Sequence, residues 1–431
     1  MKKLILLLLI FLPPFYLLAQ KYVLDSVRPS LGNLINEEFN VFAYADSSAN
    51  FKIFFDKLDS LNSGKPEHVH IFHLGGSHIQ ADAYSNKIRE YLRNMNDHDF
   101  AQRGLIFPFR IIGTNNPQNY SITGDKTKWK GYRSAVRSDS ALWGLTGITA
   151  VLTGFSDTLH IKANHKNSVR NKFFFDKVRF FTDADPSTYC ISLTDSSVVF
   201  ISDTINAEAG YREFSLSDTL QEATFLISHS DTSASRAQFR LMGIELMNDQ
   251  PGVQYTSVGV NGASFESFDR CKLFETQLRL YKPDLFIISI GTNDAYTTDF
   301  KADKFRDYYN SMIRMVLSVN PECAILLTVP NDSYYKRKYP NKNTRIQQEI
   351  IHTIAREQGQ AVWDFYEIMG GLGSSQKWYH NKLMPRDRIH FTALGYSIKA
   401  DLLFSALMKQ WAMSTGKEPD SFFSKLSQGN E

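Results

Sequence analysis

A short apolar run, Val69 to Leu74, stops at two glycines, Gly75-Gly76, and a serine follows at once. From Ile79 to Arg93 the spacing of apolar residues predicts a helix. Strand, glycine turn, serine and helix together raise a hydroxyl above the carboxyl end of a parallel sheet. The same geometry aims backbone N–H groups from the helix start at whatever faces that hydroxyl. Position 79 is isoleucine, so this is not a G-x-S-x-G elbow. Taken alone, Gly-Gly-Ser also serves as an ordinary turn.

The remainder of the chain decides which sheet this strand joins. From 253 onward, strands and helices alternate. Gln254–Val260 reads as a strand and Glu266–Tyr281 as a helix. Asp284–Ile290 (DLFIISI) is apolar throughout, as expected of a central parallel strand. Asp303–Ser318 is amphipathic, Ala324–Val329 is another buried strand, and Asn343–Gln358 is a helix. Ala361–Trp363 is a last short strand, and Phe391–Trp411 supplies a closing helix. This alternation predicts an α/β fold: a three-layer, doubly wound parallel sheet with helices on both faces.

Between the first strand-helix unit and this series the pattern changes. Residues 104–249 carry short runs rich in β-branched and aromatic residues, broken by Asn, Asp, Gly and Ser. Gly147–Leu152, Thr158–Ala163, Lys172–Phe181, Cys190–Leu193, Ser197–Ile201, Tyr211–Leu216, Ala223–Ser228 and Gln238–Met247 are strand candidates. That spacing predicts a β-sandwich of jelly-roll type inserted into a discontinuous α/β domain of residues 65–103 and 250–412. Residues 20–64 form a helical lead-in whose Phe51, Phe54, Phe55, Leu58 and Leu61 share one face. Residues 413–431 form a polar tail.

The first 19 residues, basic at Lys2-Lys3, apolar after them and ending at Ala19, read as a secretory signal. Without Lys2 and Lys3, 46 basic residues face 45 acidic ones, a balance that points to neither nucleic acid nor an anionic membrane as partner. No stable membrane span is expected after cleavage, and the expected location is the periplasm or the exterior. Three cysteines, Cys190, Cys271 and Cys323, allow one disulfide at most. His68, His70, His73 and His78 invite a metal-site reading, but no carboxylate or cysteine has matching spacing. No metal and no cofactor are expected.

Three further stretches lie where loops leave the carboxyl ends of strands: Val260-Asn261-Gly262-Ala263-Ser264, Gly291-Thr292-Asn293-Asp294, and Asp387-Arg388-Ile389-His390. In a doubly wound sheet these loops converge on one crevice, and Ser77 belongs there too. With Gly75-Gly76-Ser77 they resemble, in order and context, the SGNH (GDSL-type) hydrolase family. The resemblance covers about residues 67–100 and 250–411. It implies a flavodoxin-like α/β/α domain and a serine ester hydrolase with Ser77 as nucleophile, His390 as base and Asp387 as its orienting acid. The oxyanion donors it implies are the backbone N–H groups of Ser77 and Gly262 and the Asn293 amide. The family's acidic residue before the serine is replaced by Gly76, which leaves open how the serine turn is held.

A β insert in this position resembles the exported peptidoglycan O-acetylesterases of bacteria, whose insert looks like a carbohydrate-binding module. The implied substrate is an acetylated cell-envelope glycan. The alternatives are an acetylesterase on other polysaccharides such as xylan, a glycan O-acetyltransferase, and a non-catalytic glycan-binding protein. Trp129, Tyr132 and Trp143 are candidate sugar-stacking residues, against the alternative of core packing. Asp82 and Tyr84, just beyond Ser77, are expected on a helix surface, against the alternative of lining the cleft, and Lys336-Arg337-Lys338 in a solvated loop.

Overall fold

A computed structural model describes residues 30–230 and 238–417. The segment read as a secretory signal and most of the polar tail lie outside the described residues. Five strands form the central sheet: β1 (His68–Gly75), β2 (Gly252–Gly259), β3 (Leu285–Ser289), β4 (Ala324–Val329) and β5 (Ala361–Asp364). Every pairing is parallel and the order is β2-β1-β3-β4-β5. This is the flavodoxin-like order, with its switch point between β1 and β3. A backbone bridge from Ala43 to Val362 covers part of the β5 edge.

The period of two along each strand splits the core in two. Val69 and Ile71 of β1, Leu285 and Ile287 of β3, and Trp363 of β5 face one layer. That layer holds helices α1 (Ala49–Asn62), α3 (Tyr84–Asn94) and α10 (Ala393–Ser414). Phe72 and Leu74, Phe286 and Ile288, and Val362 face the other. There the cover is α4 (Phe265–Asp269), α5 (Phe274–Leu278), α6 (Ala302–Val319) and α7 (Asn343–Gln358). The five lead-in residues predicted on one face of α1 are all buried.

Residues 104–247 form antiparallel sheets. One joins Gly104–Ile106, Gly243–Met247, Phe175–Phe181, Tyr211–Leu220 and Phe200–Asn206 in that order. Another joins Ser121–Thr123, Ser156–Lys162, Glu222–His229 and Tyr189–Leu193. They pack through aromatic rings: Phe180 of the first sheet lies 5.2 Å, centroid to centroid, from Phe225 of the second. The first and last strands of the block are hydrogen-bonded neighbours, so the chain leaves and rejoins the α/β layers at one place. The apolar residues of these sheets are continuous with the α/β core on the Phe72 and Leu74 face.

Two predicted helices are each broken. The helix expected over 79–93 is instead α2 (Ser77–Gln80) and α3, separated at Asp82, whose φ is 45°. The reason is electrostatic. Asp82 is buried and accepts hydrogen bonds from Arg89, Ser85, Asn119 and Ser257, with Arg103 3.6 Å away. Burial alone would raise its pKa, but the Arg89 and Arg103 guanidiniums hold it below the usual carboxylate range. Asp82 and Tyr84, expected on a helix surface, are therefore interior residues. The helix expected over 266–281 breaks between α4 and α5, where the Leu273 N–H bonds the Trp143 carbonyl rather than its own helix.

Other expectations resolve in the same way. Trp129 is buried and donates to Asp157, while buried Trp143 donates to the Tyr132 carbonyl, so these two indoles are core members. Tyr132 is partly buried against the same core. All three cysteines are free. No helix among the described residues is long and apolar enough to cross a membrane.

Three buried histidines line the sheet and the serine turn. His70 meets the Tyr281 carbonyl and the Thr256 hydroxyl, His73 the Tyr255 and Ser289 hydroxyls, and His78 the Tyr396 hydroxyl. Burial lowers His70 to about 4 and His73 to about 3, and holds His78 well below its ordinary value. Unfolded, each titrates near 6.5, so between those limits the unfolded chain binds more protons. Stability should therefore fall as the pH drops below 6.5, by about 1.4 kcal/mol per pH unit for each histidine. Urea unfolding between pH 7 and 4.5 measures this, and His70→Gln should make the slope shallower.

Candidate active site

Ser77 opens α2 directly after β1. The turn is tight because both flanking strands end in glycine. A Cβ on Gly75 would lie 2.3 Å from Ile79 Cγ1, and one on Gly259 would lie 2.2 Å from the Gln80 nitrogen. The Gly76 carbonyl accepts from the Ile79 and Gln80 N–H groups, closing the turn.

Asp387 and His390 arrive from the loop before α10, which is capped by Thr392 accepting from the Gly395 N–H. His390 Nε2 lies 2.9 Å from Ser77 Oγ, and His390 Nδ1 lies 2.8 Å from Asp387 Oδ2. The other carboxylate oxygen, Oδ1, accepts from the Ile389 and His390 N–H groups. Partial burial would raise the Asp387 pKa, but the His390 ring bond and the two N–H bonds outweigh it and hold it far below the usual range. An ionised carboxylate can only accept, so Nδ1 carries the hydrogen and Nε2 turns its lone pair to the serine. An imidazole so placed can take the hydroxyl proton as Ser77 attacks a carbonyl carbon.

Ser77, Gly262, Asn293 and His390 line one open cavity of about 460 Å³, while Asp387 stands behind His390. Gly262 has φ 84°, a left-handed turn that favours glycine. The Asn293 amide donates to the Ala263 carbonyl at 2.8 Å, which ties the two loops together. Among the described residues its second amide hydrogen has no hydrogen-bond acceptor, so it can donate to a ligand oxygen.

Three residues that the motifs did not single out complete the site. Gln80 accepts from the Asn261 N–H at 2.7 Å and donates to Asn115 Oδ1 at 3.0 Å, clamping the Gly262 loop to the serine turn. With glycine at 76, this clamp supplies hydrogen bonding that the turn would otherwise lack. A Cβ at 76 would stand 3.4 Å from the Asn293 amide nitrogen, an ordinary van der Waals contact. Asn115 comes from the inserted block and lines the cavity, as does Tyr296 from the loop after β3. Gln80 follows Ser77 by three residues and so shares its helix face, a legible signal. Asn115 carries no local signal, because only tertiary folding brings it to the site.

Residues 232–398 match the model of the GDSL-like lipase/acylhydrolase family. The chain carries a GDSL-like lipase/acylhydrolase domain. That places it among carboxylic ester hydrolases. The match takes in Gly262, Asn293, Asp387 and His390 but begins beyond Ser77, because the β block separates the serine strand from the rest of the domain. No curated protein sequence matches the chain. Among solved structures, "Peptidoglycan O-acetylesterase in action, 5 min" aligns with a TM-score of 0.65 at 20% identity, covering 84% of this chain and 96% of that one. That coverage exceeds what the α/β layers alone could supply, so the shared fold includes the insert. An acetyl xylan esterase, AlAXEase, aligns over 36% of this chain and 81% of its own at 20% identity, with a TM-score of 0.30. Axe2, an acetylxylan esterase from Geobacillus stearothermophilus, aligns over 37% and 75% at 20% identity, also with a TM-score of 0.30.

Proposed function

We propose that the GDSL-like domain is an exported serine esterase that removes O-acetyl groups from a cell-envelope glycan, O-acetylated peptidoglycan first. The observation that carries the reading is the hydrogen-bonded series Ser77–His390–Asp387 opening into a solvent-facing cavity. Ser77 Oγ attacks the acetyl carbonyl carbon while His390 Nε2 takes its proton. The Ser77 and Gly262 N–H groups and the Asn293 amide receive the oxyanion. Collapse breaks the ester bond, and the imidazolium returns the proton to the departing sugar hydroxyl. Water, deprotonated by His390, then attacks acetyl-Ser77 and releases acetate. The substrate class is supported by the fold shared with a peptidoglycan O-acetylesterase over the insert as well as the α/β layers. Export is supported by the pattern of residues 1–19.

Acetate release from O-acetylated peptidoglycan and from acetylated xylan tests the reading. The expected result is release from peptidoglycan at the higher kcat/KM. Release from xylan alone would leave the serine chemistry and overturn the envelope role. Release from neither, by folded protein, would overturn the hydrolase reading in favour of acetyl transfer or glycan binding.

A further inference from the structure

Past the end of β4 the chain forms a small hairpin, Tyr334–Tyr335 paired with Tyr339–Pro340. Its tip is Lys336-Arg337-Lys338, and residues 336–340 are exposed. Lys336 and Arg337, at φ 50° and 58°, are the central residues of the hairpin turn, which the Lys338 N–H closes by donating to the Tyr335 carbonyl. The hairpin also bonds to the site. The Lys336 N–H donates to the Tyr296 hydroxyl at 2.9 Å, and Tyr296 lines the serine cavity. Arg388, between Asp387 and His390, donates to the Arg337 carbonyl and lies 4.0 Å over the Tyr334 ring. The Tyr334 N–H in turn donates to the Arg388 carbonyl.

The hairpin is thus fastened to the loop that carries Asp387 and His390. Tyr296 and Tyr335, with ring centroids 4.9 Å apart, form a ledge from the cavity to the tip. Among the described residues, Lys336, Arg337 and Lys338 take part in no ion pair. The two lysines lie over the rings of Tyr335 and Tyr339. Aromatic faces suit the apolar side of a sugar ring, and cations without carboxylate partners suit an anion.

We propose that this hairpin is a binding site for the glycan beyond the acetylated sugar and that it takes a carboxylate-bearing glycan rather than a neutral one. Sugar rings rest on Tyr296 and Tyr335, and the carboxylates pair with Lys336, Arg337 and Lys338. The inference rests on the deacetylation reading of the cavity and narrows its substrate class.

The test is a triple variant, Lys336→Ser, Arg337→Ser and Lys338→Ser, assayed on soluble O-acetylated peptidoglycan fragments and on acetylated xylo-oligosaccharides. The ratio of kcat/KM on the first substrate to that on the second should fall about tenfold, carried by KM. In the native protein that ratio should also fall as salt is raised, and in the variant it should not. A second readout needs no turnover: co-sedimentation of the Ser77→Ala protein with peptidoglycan sacculi, native or with their carboxylates amidated. Retention that both amidation and the triple variant abolish supports the site even if acetate release fails and the deacetylation reading falls. A rate ratio and retention unchanged by the triple variant, or no retention at all, overturn the site even if acetate release succeeds.

Discussion

Ser77→Ala should lower kcat for ester hydrolysis by about six orders of magnitude, and Asp387→Asn by about four. Both follow from the proposed mechanism. Without the Ser77 hydroxyl no acetyl-enzyme forms, and only the oxyanion donors and the cavity remain to assist attack by water. The asparagine effect has a different origin. Asp387 Oδ2 accepts from His390 Nδ1 at 2.8 Å and fixes which ring nitrogen faces the serine. An asparagine can present its amide N–H to Nδ1 instead, which drives the hydrogen to Nε2 and removes the base. It also cannot stabilise the imidazolium. Because Asp387 is held ionised far below the usual carboxylate range, its protonation should not limit the acid side of the rate profile. Steady-state rates on a small acetate ester measure all of this. An Asp387→Asn enzyme within tenfold of the native one would contradict the assigned role.

The second large effect is expected away from the reacting atoms. In Gly259→Ala the new Cβ would lie 2.2 Å from the Gln80 nitrogen and 2.6 Å from the Gly76 oxygen. Both are backbone atoms of the serine turn, so no side chain can swing aside. Either β2 or the turn must move. Overpacking of this kind costs about 1–3 kcal/mol, and a displaced serine should cost about 10²-fold in kcat. Gly64→Ala is the matched control, since Gly64 has φ 85° but no neighbour within 4 Å of its Cβ position. It should lose about 1 kcal/mol from backbone strain and keep its rate. Urea unfolding and kcat, measured on both variants, separate strain from misplacement.

Much of this fold was legible in the sequence, for identifiable reasons. DLFIISI reads as a central strand because a parallel strand covered on both faces has no need of polar positions. Asn343–Gln358 is helical over the predicted range because its apolar spacing and the glycine after it agree. The four motif loops converge because strand ends converge, which topology dictates before any side chain is placed. What escaped the reading was long-range. Nothing within residues 79–93 announces that Asp82 meets Arg103 and Asn119 from the inserted block, and that meeting breaks the helix. Likewise nothing beside Arg270 announces that the Leu273 N–H will be taken by Trp143. Asn115 and Tyr296 enter the cavity for the same kind of reason.

The register of the parallel sheet bears on how the molecule is made. β1, which delivers Ser77, pairs with β2 along its whole length from His68–Gly252 to Gly75–Gly259, and the entire inserted block separates the two in the chain. A nascent chain therefore holds its serine strand without this neighbour until the insert has emerged. Contacts so distant in sequence carry a large closure entropy and form late. Because Gly104–Ile106 and Gly243–Met247 are paired, the folded insert holds the two ends of that long loop together. The insert is thus a clasp for the sheet, and the site is complete only when strands far apart in the chain have met.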